Sequence, residues 1–229
     1  AGKLDIEKTD FRPDEVINFF EYEKVREARR ARVIDLKRRR RVAVGPYLSF
    51  VFENRETVLF QIQEMCRAER IAADAKVQEE IDVYNALLPG SSELSATLFI
   101  EIEDMARIKP TLDRFLGIDR GQCVWLQIGR EFAVPGEFEP GHSDEEKGKL
   151  SAVHFVRFRL PPDAARAFAE SEVHLVVDHP AERARAHGLP RAAGVGALRA
   201  RGGGPESGRH GAARVRGRSD ARGAARDAL

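Results

Sequence analysis

Residues 14 to 41 contain no glycine or proline, and Tyr22, Val25, Val33 and Leu36 recur at spacings near three and four, the period of an amphipathic helix. The period then changes. In YLSFVFEN (47–54), Leu48, Phe50 and Phe52 alternate with Ser49, Val51 and Glu53, which predicts a strand with one buried face. Helical spacing returns from Arg55 to Arg70, with Val58, Ile62, Met65 and Cys66 expected inward and Gln63, Arg67 and Arg70 mostly outward. A second short helix is expected over 76–88, stopped by Pro89-Gly90. TLFIEIE (97–103) alternates again, placing Leu98, Ile100 and Ile102 on one face, and a helix over 104–116 is expected to end at Gly117. CVWLQIG (123–129) and the stretch 131–134 read as a strand pair, SAVHFVRFRL (151–160) as a long strand, 161–171 as a short helix, and VHLVVD (173–178) as a final strand.

Strands with one polar face favour antiparallel or mixed sheets, so the pattern predicts an α+β fold: about five to six strands covered by helices, in a single domain over 1–180. No apolar run approaches the roughly 18 residues of a membrane span, and the first residues, AGKLDIEKTD, lack the apolar stretch of a secretory signal, which makes the cytoplasm the expected compartment.

Charge divides the chain where the period does not. The formal balance of +1 hides a segment, 181–229, with eleven Arg, no Lys and four acidic residues, so the first 180 residues are net negative. That segment also holds thirteen Ala and ten Gly and no aromatic residue, too little apolar surface to offset the entropy of ordering, and a disordered tail is expected. Ala, Gly, Arg and Pro share GC-rich codons, so a shifted reading frame would produce such text; a solvated tail and a nucleic-acid arm are the other readings.

Candidate chemistry is sparse. The two cysteines, Cys66 and Cys123, have no C-x-x-C spacing and read as a buried helix residue and a strand residue. The G-x-G-x-x-G, G-x-x-x-x-G-K, H-E-x-x-H and G-x-S-x-G motifs are absent. His154 shares a strand face with Ala152, Val156, Phe158 and Leu160 and is expected to point into the core, either as a satisfied structural histidine or as a metal ligand or acid–base group beside Glu53, Glu64 or Glu101. Gln61 and Glu64, or Glu64 and Arg67, can share a helix face and fit surface ion pairing. A sharper reading joins Gln61 and Glu64 to Glu53, Asn54 and Arg55 in a pocket wall at a strand-to-helix junction, where Arg55 could meet an anion. Lys37, Arg38, Arg39, Arg40 and Arg41 form a helix end that winds around its axis and is expected to be either simply solvated or a docking patch for an acidic protein, in preference to a nucleic-acid contact.

The stretch EYEKVREARRARVIDLKRRRRVAVGPYLSFVFENRETVLFQIQEMCRAERI (21–71) resembles the signature block of a bacterial family known as domain of unknown function three-five-zero-one. LSATLFIEIED (94–104), VWLQIG (124–129), the DEEK loop followed by SAVHFVRFRL (144–160) and VVDHP (176–180) extend the likeness. After Pro180 the likeness breaks off, where family members continue with a short ordered segment. Such proteins are typically encoded beside rubrerythrin-like di-iron proteins and iron–sulfur oxidoreductases of the heterodisulfide-reductase type. The resemblance therefore implies a redox or oxidative-stress setting and a rubrerythrin-like or iron–sulfur partner. It implies no cofactor and no catalytic residue. Three functions remain open: a non-enzymatic accessory protein, a metal-binding or enzymatic protein centred on His154 and carboxylates, and a nucleic-acid binder using the basic helix end and the tail.

Overall fold

A computed structural model describes residues 10–120, 122–140, 143–144, 149–186 and 189. In chain order its elements are α1 (Phe19–Arg38), β1 (Arg41–Val44), β2 (Leu48–Phe52), α2 (Arg55–Ala68), α3 (Asp74–Asn85), β3 (Glu93–Ile100), α4 (Ile108–Arg114), β4 (Val124–Ile128), β5 (Phe132–Phe138), the two-residue strands β6 (Ser143–Asp144) and β7 (Lys149–Leu150), β8 (Val153–Arg159), α5 (Pro162–Glu170), β9 (Val173–His179) and β10 (Glu182–Ala186). The chain groups into two compact units, one drawn from 37–54 and 89–201, the other from 9–36 and 55–88.

The first unit is built on an eight-stranded sheet in the order β1-β2-β3-β8-β5-β4-β9-β10, with every neighbouring pair antiparallel. Its end strands, β1 and β10, lie against each other, so the sheet curls into a nearly closed barrel. The period of two places Phe50 and Phe52 of β2, Leu98 of β3, Val156 and Phe158 of β8, Leu126 of β4 and Leu175 of β9 in one apolar core. α5 adds Ala164 and Phe168 to it. β5 passes close to β8 because Gly136 has no side chain: a Cβ there would stand 2.7 Å from Val156 Cγ2 and 3.2 Å from the Val124 carbonyl. The β1–β2 turn needs Gly45 at φ 68°, with the Glu182 carboxylate lying against it.

The sheet therefore has eight strands where five to six were expected. β1 was hidden because RRRR reads as helix end; the helix instead stops at Arg38 and RVAV pairs with β2. β10 lies beyond Pro180, inside the segment expected to be disordered, and ERARA pairs residue by residue with β9. Residues 190–229, the bulk of the expected tail, and 145–148 of the DEEK loop lie outside the described residues. The helix expected over 104–116 is a turn of 3-10 helix, Met105–Arg107, followed by α4. Pro110 sits in the first turn of α4, where a missing N–H costs nothing. Gly117 has φ 87° just past its end.

The second unit holds α1 to residue 36, with α2 and α3. α2 is buried nearly all round: Thr57, Val58, Phe60, Gln61, Ile62, Gln63, Glu64, Met65 and Cys66 are all inside. Gln63, expected outward, is fully buried and exchanges hydrogen bonds with the Ile17 backbone, accepting from its N–H and donating to its carbonyl. On α1 only Tyr22 and Val33 are buried; Val25, expected on the same stripe, is 40% exposed, and Arg26 takes the inward position one residue on. Among the described residues no helix is long and apolar enough to cross a membrane.

Candidate functional site

Glu64 is the most elaborately held of the candidate residues. Its side chain is 4% exposed; the Tyr22 hydroxyl donates to Oε1 at 2.7 Å, and Arg26 spans both carboxylate oxygens at 2.8 Å each through Nε and Nη2. This fork-on-fork pairing is the strong form of the charged hydrogen bond. Arg67, expected beside Glu64, turns instead to Glu23 of α1. Burial alone would raise the Glu64 pKa, but the hydrogen bonds from Arg26 and Tyr22 outweigh it and hold the group below the ordinary carboxylate value. Burial and the bond to Glu64 push the Tyr22 phenol well above its ordinary value. Near pH 7 the first is fixed as a carboxylate and the second as a phenol, so neither is poised for proton transfer. Gln61 is buried on the same helix but does not join this cluster among the contacts found for Glu64.

The expected pocket wall at the strand-to-helix junction resolves into separate structural roles. Glu53, at the end of β2, is 3% exposed and accepts from Thr97 Oγ1 at 2.6 Å. Asn54 is half-buried. Arg55 pairs with Glu15 at 2.5 Å and lies 4.1 Å over the Phe11 ring, so the cation expected to meet an anion is engaged by a carboxylate and an aromatic face.

His154 points into the barrel core, as its strand position predicts, and is 1% exposed. Its Nε2 lies 2.7 Å from the Ser151 carbonyl, which fixes that nitrogen as a donor. The carboxylate that approaches the ring is Asp119, with Oδ2 3.9 Å from Nδ1. The carboxylates expected beside it lie elsewhere: Glu53 on Thr97, Glu64 on Arg26, and Glu101 on Arg41 and Ser49. A second core histidine, His179, accepts from the Ala181 N–H through Nδ1, contacts the Leu116 carbonyl through Nε2, and stacks on Phe115. Among the described residues no group of three or more His, Cys, Asp and Glu stands where it could hold a metal.

The basic run divides. Arg40 is 5% exposed, donating from Nε to the Phe52 carbonyl at 2.6 Å and from Nη2 to that of Glu53 at 2.9 Å; it fastens β2 and is no part of a docking surface. Arg41 is bound to Ser49 and Glu101 and lies over the Phe99 ring. Arg38 and Arg39 remain exposed and Lys37 half-buried. Further back on α1, Arg29 is exposed too, and so are the apolar side chains of Phe20 (68%), Val25 and Ile34.

A family profile described as protein of unknown function (DUF3501) matches residues 10–194. The chain belongs to the DUF3501 family. The match runs through β10 and on to residue 194, so the likeness does not end at Pro180. A crystal structure of a novel protein of unknown function from Burkholderia pseudomallei K96243 is 33% identical, with a TM-score of 0.71, covering 78% of this chain and 92% of that one. No curated protein matches the chain.

In this DUF3501 chain a further surface feature went unread in the sequence: a cleft of about 350 Å³ after α2, lined by Glu69, Arg70, Ile71, Lys76, Glu79 and Glu80. Scattered charges at a helix end give no periodic signal. The nearby Cys66 thiol is pushed up to about 11 by burial, with Glu80 and Glu69 adding to the effect, so it stays protonated and unreactive near neutrality.

Proposed function

We propose that the protein is a non-enzymatic accessory in a cytoplasmic redox or oxidative-stress system, docking an acidic partner of the rubrerythrin-like or iron–sulfur type through the outer face of α1. The carrying observation is the composition of that face. Of the five large apolar side chains exposed among the described residues, three lie on α1: Phe20 and Ile34 on the side that also carries exposed Arg38, and Val25 on the opposite flank beside exposed Arg29. Arginine next to exposed aromatic and aliphatic groups is the composition of a protein–protein interface, and its charge is opposite to that of the first 180 residues as a whole. Glu21 and Glu27 are also exposed on the helix, at 57% and 86%, so the acidic groups of the partner would meet the arginines and its other groups these two carboxylates. The redox setting rests on the company the family keeps.

The reading is tested by calorimetric titration of the purified protein against a rubrerythrin-like protein and an iron–sulfur oxidoreductase from the same host. Saturable binding to one of them, at roughly micromolar affinity for a single-helix contact, is expected. Heat of dilution alone with both would overturn it.

A further inference from the structure

α1 is fastened by long polar side chains more than by apolar contact. Tyr22 and Val33 are its only buried residues, and with Phe60 they form a small cluster. The rest of the attachment found to α2 is polar: the Tyr22 hydroxyl and Arg26 on Glu64, Glu23 on Arg67, and Arg32 on Glu56 at 2.5 Å. Helices in proteins owe most of their stability to packing of an apolar face, and this helix has little of one. Two of its three anchors, Arg67–Glu23 and Arg32–Glu56, are open to solvent and therefore to competing charge.

We infer that α1 is a displaceable latch: an acidic protein segment takes over Arg32 and Arg67 from Glu56 and Glu23, and α1 comes away from α2, with Arg26 leaving Glu64 as it goes. This rests on the proposed docking role of α1 and adds how binding would be coupled to a change in shape. Acid is a poor trigger, because Glu64 and Glu23 both titrate below the ordinary carboxylate value and stay charged at any ordinary cellular pH. Competing carboxylates remain as the natural signal.

Hydrogen exchange on the full chain at pH 7 tests this, with poly-L-glutamate as the acidic probe. Raising salt from about 50 to about 500 mM should speed exchange over residues 19–36 roughly tenfold while α2 and α3 change less than about twofold. Glu64→Gln should produce the same local loss at low salt. Should that variant unfold, the pair Arg32→Gln and Arg67→Gln, at exposed positions, serves instead. Poly-L-glutamate at low salt should likewise speed exchange in α1. Unchanged α1 protection in all these conditions, or equal acceleration in every helix, overturns the latch. Slowed exchange with poly-L-glutamate would mean docking without displacement, which sinks the latch and leaves the docking role standing. Equal acceleration by poly-uridylate would overturn the choice of a protein occupant.

Discussion

Arg40 shows how little a residue's type says about its use. In the sequence it is one of five consecutive cations at a helix end; in the fold it is buried against the carbonyls of Phe52 and Glu53. Arg40→Met would leave both carbonyls without that donor and should cost about 1–3 kcal/mol, read as a lower urea midpoint at unchanged slope. An equal midpoint would show that water replaces the guanidinium. His154 was legible, because the period of a strand tells which way a side chain points, and it does lie in the core. Its neighbour was not: Asp119 comes from a loop 35 positions away, and no local pattern joins the two. His154→Gln should destabilise by about 1–3 kcal/mol by disturbing the bond to the Ser151 carbonyl. The same stability in this variant would remove the structural role. Arg26 was missed and Gln63 misread for a related reason: a hydrophobic stripe is drawn through apolar residues, and neither a buried arginine nor a buried glutamine belongs to one.

At the scale of elements, strands with clean alternation were visible and those made of arginine were not. β2, β8 and β9 carry large apolar residues on one face and could be placed from the sequence. β1 and β10 close the barrel with RVAV and ERARA, whose period of two is carried by Ala and Val against Arg, and each sits beside text that suggests something else. Close approach is equally silent in sequence. Gly136→Ala should cost about 1–3 kcal/mol, since the new Cβ would meet Val156 and the Val124 carbonyl between paired strands; thermal melting of the variant measures it. α1 and α2 make a pH prediction. The Glu64 pKa is lowered in the fold, so its contribution is complete above the unfolded value near 4.3 and is lost as pH falls through the folded value. α1 should therefore lose exchange protection only below about pH 4, with no change between pH 5 and 8. Loss of protection near pH 6 would implicate another group.

For the molecule as a whole, the fold class was readable because alternation and helical spacing are each repeated several times along the chain. The surface proposed for docking was not, because what distinguishes it is exposure, which the sequence does not record. Lys37 to Arg41 stood out as a charge run, yet in the fold Arg40 is buried and Arg41 is paired with Glu101, and the surface proposed for docking lies further back on α1 around Phe20 and Ile34. The decisive quantity is the association rate between the protein and the rubrerythrin-like or iron–sulfur protein proposed as its partner, because exposed charges act on encounter more than on residence. In stopped-flow mixing, Arg29→Ser, Arg38→Ser and Arg39→Ser together should slow association about tenfold at low salt, flatten its salt dependence, and leave the melting temperature within about 2 °C. An association rate equal to that of the unaltered protein at every salt concentration would contradict a docking role for α1.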